Sequence, residues 1–244
     1  MKKTKAFSLI EALVATVIGA ISILAITYSY IFFNNSYQKI TDKAKMSASG
    51  RSSLQMIAKD LRNAGYKNMN YEAATGQTWD RWIEKIDDFD GNKGDKLRIW
   101  YNTSARDRIE VQYFLKKDSS GDTYLVRESI ENPVRNPMRM NCQRFDTQKN
   151  CEPITIVSKA TDFQVFFNDQ NGNRVNNVNV GSDNQSKVHT AEVYITVRSP
   201  NELLKNPISF EMLNGGTAGN FTKRDKYLRE TFYISVYLRN VVKL

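Results

Sequence analysis

The chain has 244 residues, with 35 basic and 26 acidic side chains, a formal net charge of +9, one histidine and two cysteines. That length leaves room for one domain with a sizeable core beside a long helix. One histidine, no Cys-x-x-Cys and no Gly-rich phosphate loop exclude the usual metal-cluster, triad and nucleotide-binding constellations as the basis of function. Outside one apolar run near the start, charges of both signs are spread along the chain, so the basic balance reads as a solvated surface rather than a nucleic-acid footprint.

Residues 1–6, Met-Lys-Lys-Thr-Lys-Ala, form a short basic leader. Three of the net charges, Lys2, Lys3 and Lys5, lie in it, which leaves +6 on the rest. From Phe7 to Gln38 the one formal charge is Glu11. The apolar run suffices for a membrane-spanning helix over residues 7–30, since a span needs about 20 apolar residues. A carboxylate near the centre of a span costs roughly 2.5–3.5 kcal/mol by insertion scales, which marks Glu11 as a functional-site candidate. A basic leader before an apolar run resembles a secretory signal, which is cut after its apolar region near an Ala-x-Ala-like site. Here Ala12, Ala15, Ala20 and Ala25 all lie inside the run, and the helical pattern continues beyond it. Basic residues favour the cytoplasmic side of a span, so the remainder of the chain should face out of the cytoplasm.

The helix should continue to Arg62. Ile40, Ala44, Ala48, Leu54, Ile57, Ala58 and Leu61 recur at spacings of mostly three or four, with charged residues between them. Gly50 is a weak point, costing about 1 kcal/mol against Ala. Asn63-Ala64-Gly65 reads as the stop, with Gly at the C-terminal cap. A helix of roughly 55 residues would be about 80 Å long, more than one domain can bury. Its first half belongs in lipid or against other helices, its second half under its own domain.

Residues 66–95 read as an irregular segment ending in an acidic, Gly-rich run. Within it Asp88, Asp90 and Asn92 have the alternating spacing of a calcium loop. Lys93 stands where such a loop needs Gly, and Ile99 where it needs Glu, so the run reads as a turn before a strand. Strands are expected at Lys96–Tyr101, Arg108–Leu115, Asp122–Ile130, Pro153–Ser158, Thr161–Asn168 and Val188–Arg198, with a hairpin turn at 116–121. Residues 169–187 read as a flexible loop and 199–226 as a long connection. In the last strand Phe232, Ile234, Val236 and Leu238 should face one way, and Tyr233, Ser235 and Tyr237 the other. The fold class is α+β: a long N-terminal helix (residues 7–62) packed on a mainly antiparallel sheet domain (residues 63–244).

In an exported domain Cys142 and Cys151 can form a disulfide closing a ten-residue loop, worth about 2.5–3 kcal/mol by the chain-entropy model. Two separate thiols are the alternative. Arg135, Arg139, Arg144 and Lys149, with Phe145 among them, could form a basic patch, but a solvated loop explains them as well. His189 falls on an expected strand without catalytic partners. Ser36-x-x-Lys39 fits a nucleophile pattern, but no Lys-Thr-Gly follows. No catalytic residue, cofactor or metal site is therefore assigned.

Lys5-Ala-Phe-Ser-Leu-Ile-Glu-Ala-Leu-Val14 resembles the N-terminus of type IV pilins and pseudopilins. The resemblance implies cleavage by a prepilin peptidase between Ala6 and Phe7 and methylation of the new Phe7 amine, with Glu11 the fifth residue of the mature chain. Ala6 replaces the usual Gly before the cut. The span lacks the Pro that major pilins carry near its end, at Thr27–Tyr30, which points to a minor subunit. Ser53–Tyr66 and Thr231–Asn240 resemble the helix end and the C-terminal strand of PilW-type minor pilins.

The resemblance implies a non-enzymatic subunit that is single-pass in the inner membrane, head in the periplasm, before it enters a filament. Its partners would be other minor pilins and the major pilin through the N-terminal helix, the peptidase, the inner-membrane assembly platform and a tip adhesin. Such subunits prime assembly of a type IV pilus and sit near its tip. Glu11 would pair with a Phe7 amine and set the axial register between subunits. The alternatives are a minor pseudopilin of a type II secretion system and a DNA-binding competence pilin.

Overall fold

A computed structural model describes residues 8–70, 72, 75, 81–87, 94–105, 107–131, 153–213 and 221–240. The chain divides into two units, Met1–Ala44 and Lys45–Leu244. One helix, α1 (Leu9–Asn63), contributes to both.

In the first unit α1 carries no buried stripe. Leu9, Ile10, Leu13, Val14, Val17, Ile18, Ile21 and Leu24 are all at least half exposed. Apolar side chains on every side of a helix are the pattern of a helix whose solvent is not water. It is also the one described helix long and apolar enough to cross a membrane.

In the second unit the helix is one-sided. Met46, Leu54, Ile57, Ala58, Leu61 and Ala64 are buried, while Arg51, Gln55, Lys59 and Arg62 are exposed. Of the expected stripe, Leu54, Ile57, Ala58 and Leu61 face the core, but Ile40, Ala44 and Ala48 are exposed. At 100° per residue those three lie across the helix from Met46, which begins the true stripe. Gly50 is where the core presses hardest: a Cβ there would overlap the Phe232 ring. The glycine that costs helix propensity thus makes room for a close approach. Gly65 ends the helix with φ +75°, and its N–H donates to the Trp100 carbonyl at 2.9 Å. The left-handed cap therefore ties the helix end to a strand.

A five-stranded antiparallel meander follows: β1 (Ile83–Ile86), β2 (Lys96–Asn102), β3 (Arg108–Lys117), β4 (Thr123–Glu131) and β5 (Ile154–Val157), paired in that order. Cross-strand neighbours Ile83/Ile99, Ile99/Val111 and Leu97/Tyr113 put one apolar face into the core. The second sheet, in the order β10-β7-β6, consists of β6 (Ala160–Asn168), β7 (Thr190–Glu202) and β10 (Tyr227–Tyr237). Its inner face supplies Phe163, Val165, Val193, Ile195, Phe232 and Val236 to the same continuous core. A separate hairpin, β8 (Ile208–Met212) with β9 (Phe221–Asp225), lies between β7 and β10 in sequence.

All six strands expected from the pattern before the last connection form, with shifted ends. Three segments differ from expectation. The irregular stretch after the helix contains β1. The connection 199–226 contains the β8–β9 hairpin. The polar loop 169–187 includes a 3-10 helix, Asp183–Lys187, and buries Val178 and Gln185. Gln185 Oε1 accepts from the Trp82 and Ile83 amides, and the Lys85 amide donates to the Val178 carbonyl at 3.0 Å. Its density in Asn and Gly marks turns, while long-range bonds to β1 hold it in place.

Strand β3 is buried on both faces. Opposite Val111 and Tyr113 lie Glu110 and Gln112, which alternation alone would place in water. Arg98 reaches Glu110 at 2.7 Å and Glu84 at 2.6 Å, and Gln112 donates to Glu110 at 2.5 Å. The buried carboxylate is thereby neutralised, which burial of a charge requires.

Candidate functional site

Among the described residues no group of three His, Cys, Asp or Glu could hold a metal ion. The chemistry-bearing feature with the clearest geometry is the start of α1. Ser8 and Glu11 exchange hydrogen bonds there. The Ser8 backbone N–H donates to Glu11 Oε2 at 3.0 Å, and the Glu11 N–H donates to Ser8 Oγ at 3.3 Å. This is a capping box: Ser at the cap and Glu three residues on satisfy two backbone donors reciprocally. The cap satisfies both donors within the chain, with no need of water. Sequence reasoning singled out Glu11 and passed over Ser8, although Ser-x-x-Glu before an apolar run is a readable capping signal.

Downstream, the hydroxyls of the apolar run are also satisfied within the helix. Thr16 donates to the Leu13 carbonyl, Ser22 to Ile18 and Thr27 to Ile23, each at 2.8 Å. Hydroxyls bonded back to their own turn can sit in hydrocarbon. The segment thus presents an apolar surface to its surroundings, interrupted by the Glu11 carboxylate at its start.

The second unit has a buried polar cluster that the sequence did not reveal. Tyr113 on β3 donates to Asp60 Oδ2 at 2.5 Å, Arg127 on β4 reaches the same oxygen at 2.9 Å, and Tyr101 on β2 donates to Oδ1 at 3.4 Å. Burial, reinforced by the Asp60 carboxylate, raises the Tyr113 hydroxyl well above the usual tyrosine range, so it remains a donor. Burial opposes the Arg127 charge, but its bond to Asp60 outweighs that and raises it. Asp60 is thus the polar rivet between the last turns of α1 and three strands. Its partners are 41 to 67 residues away, so no local pattern announces it.

Of the other expected site residues, Ala6 and Phe7, Cys142 and Cys151, and Asp88, Asp90 and Asn92 lie outside the described residues, as do Arg135, Arg139, Arg144, Phe145 and Lys149. His189 is the residue before β7 rather than within it. Its backbone bridges Asn168 and Leu238, and its ring lies 6.3 Å from that of Tyr237. Ser36 and Lys39 are on α1.

Residues 1–27 match the family model of the prokaryotic N-terminal methylation motif. In structure the chain is similar to a type IV-like pilin, TTHA1219 from Thermus thermophilus. The TM-score is 0.51 at 12% identity, over 81% of this chain and 97% of that one. No curated protein sequence matches the chain. A prepilin-type methylation motif and a type IV pilin fold, a long apolar N-terminal helix with an antiparallel-sheet head, therefore stand together in one chain. The chain thus carries an N-terminal methylation motif over residues 1–27 and shares the fold of a type IV-like pilin.

Proposed function

We propose that this chain is a minor pilin of the PilW type, which primes assembly of a type IV pilus and is incorporated near its tip. The observation that carries the reading is the start of α1: one carboxylate, held by Ser8, on a helix whose apolar surface is exposed on all sides. Such a surface supplies adhesion between helices but no axial register, because sliding one apolar helix along another exchanges like contacts. A charge supplies register. Cleavage between Ala6 and Phe7 would free an amine with a reference pKa of about 7.7–8.0. That amine would lie one residue before Ser8, whose N–H Glu11 already accepts. In a low-dielectric setting the amine and carboxylate are each costly alone and offset one another when paired. The missing Pro in the span favours a minor over a major subunit. The head would face the periplasm before assembly. The partners would be other minor pilins, the major pilin, the peptidase, the assembly platform and a tip adhesin.

Two substitutions separate register from capping. Glu11→Gln keeps an acceptor for the Ser8 N–H but removes the charge, and Glu11→Ala removes both. If the charge sets register, both variants are cleaved normally, and both lose co-purification with partner pilins and surface piliation. Normal piliation in the Glu11→Gln strain would leave Glu11 as a helix cap and overturn the register role. Mass spectrometry of the extracted protein should show a chain beginning at methylated Phe7, and an intact leader in a peptidase-positive strain would count against the whole reading.

A further inference from the structure

Between the apolar run and the first downstream charge, Lys39, α1 carries a cluster of Tyr28, Tyr30, Phe32 and Phe33 and, past a polar trio, Tyr37, all 60–76% exposed. At 100° per residue, Phe32 lies about 40° round the helix from Tyr28, Phe33 about 140°, Tyr30 about 200° and the intervening Ile31 about 300°. The large side chains therefore ring the helix instead of forming a stripe. A single docked partner covers one face, whereas a ring suits surroundings that are the same in every direction, as a bilayer is around one isolated helix. The polar trio Asn34-Asn35-Ser36 follows at once. Tyrosines with an apolar ring and a polar tip, between an apolar run and a polar one, have the chemistry of a bilayer–water interface.

We infer that this aromatic ring is an interfacial belt, which seats the outer headgroup layer of a phospholipid bilayer at residues 28–33 and so fixes the depth of α1. The four clustered aromatics span about 7.5 Å of helix axis, close to the thickness of one headgroup layer. A hydrocarbon core of about 30 Å takes about 20 residues of helix. Counted back from Tyr28, that reaches Ser8, the residue that caps α1. The two ends of the span thus coincide with two independent features, the belt and the capping box. Glu11 then lies about 5 Å inside the cytoplasmic boundary rather than at the bilayer centre. Its carboxylate reaches water while the chain waits in the membrane, and loses it when neighbouring helices close around it.

This inference rests on the membrane-anchored reading above. The test uses the full, unaltered chain, reconstituted alone at high dilution in phosphatidylethanolamine–phosphatidylglycerol vesicles. The vesicles contain lipids bearing a photoreactive diazirine either near the glycerol or at the chain end, and adducts are mapped by peptide mass spectrometry. The expected result is glycerol-proximal adducts at residues 28–33 and 8–12, and chain-end adducts centred on Ile18, on all sides of the helix. Replacing Tyr28, Tyr30, Phe32 and Phe33 by Leu together should move the outer glycerol-proximal peak by about one turn towards Lys39. Glycerol-proximal adducts beyond Lys39, chain-end adducts around Glu11, labelling confined to one face or an unmoved peak in the variant would overturn the belt. Absence of any lipid adduct between residues 9 and 33 would instead overturn the membrane anchor itself.

Discussion

Residues 9–27 and 45–63 of α1 share one backbone conformation and obey opposite rules. In the first stretch Leu13 is 58% exposed and its neighbours are apolar all round. In the second, Leu61 is fully buried, apolar residues keep to one face, and Asp60 beside it holds Tyr113 and Arg127. The first stretch leaves its apolar surface exposed, whereas the second buries its own in the head. A substitution should therefore be judged by what its position packs against rather than by the residue type.

The sharpest way to break this comparison is to make the same change in both stretches. Leu61→Ala should cost about 3 kcal/mol in denaturant unfolding of the detergent-extracted protein, through lost transfer and a cavity. A loss under about 1 kcal/mol would mean that the head does not depend on the helix stripe. Asp60→Ala comes next, at about 2–3 kcal/mol, since it leaves a buried hydroxyl and a half-buried guanidinium without their acceptor. Near-UV circular dichroism of Tyr113 and its neighbours should change with it, and an unaltered melting curve would reduce the cluster to ornament.

Gly50→Ala tests whether the core or the helix decides at that position. Helix propensity alone favours the change by about 1 kcal/mol. Crowding against Phe232 costs about 1–3 kcal/mol, so the variant should be less stable by about 1 kcal/mol. In a Phe232→Leu background the sign should reverse, which double-mutant melts would show. The smallest effect is the other half of the first pair. Leu13→Ala should leave unfolding of the head unchanged within about 0.5 kcal/mol. A larger shift would mean that the first stretch contributes to the head after all.

Much of this was legible from residue order, because the relevant physics is local or periodic. The apolar run, Glu11, the helix stop at Gly65 and the alternation of β10, with Phe232 and Val236 inward and Tyr233 and Tyr237 outward, follow from hydropathy, period and cap chemistry. Apart from the overlooked Ser8 cap, what failed was non-local. A short strand such as β1 has too few residues for a period and exists because β2 pairs with it. The 169–187 segment is polar in composition yet held by Gln185 and Val178 against β1, a contact set by residues about 100 positions away.

The sequence by itself determined that a long apolar helix precedes a strand-rich remainder and that one carboxylate stands near the start of that helix. Periodicity and the cost of an intramembrane charge are properties of neighbouring residues, so order alone carries them. Only the tertiary structure decided that Met46, not Ile40, begins the buried stripe, that Gly50 admits an aromatic ring, and that Glu110 and Asp60 are buried with their counter-charges. Those facts depend on which surfaces meet after folding. Burial and pairing energies belong to the contact and not to either residue, so they become visible only when both sides of it are in place.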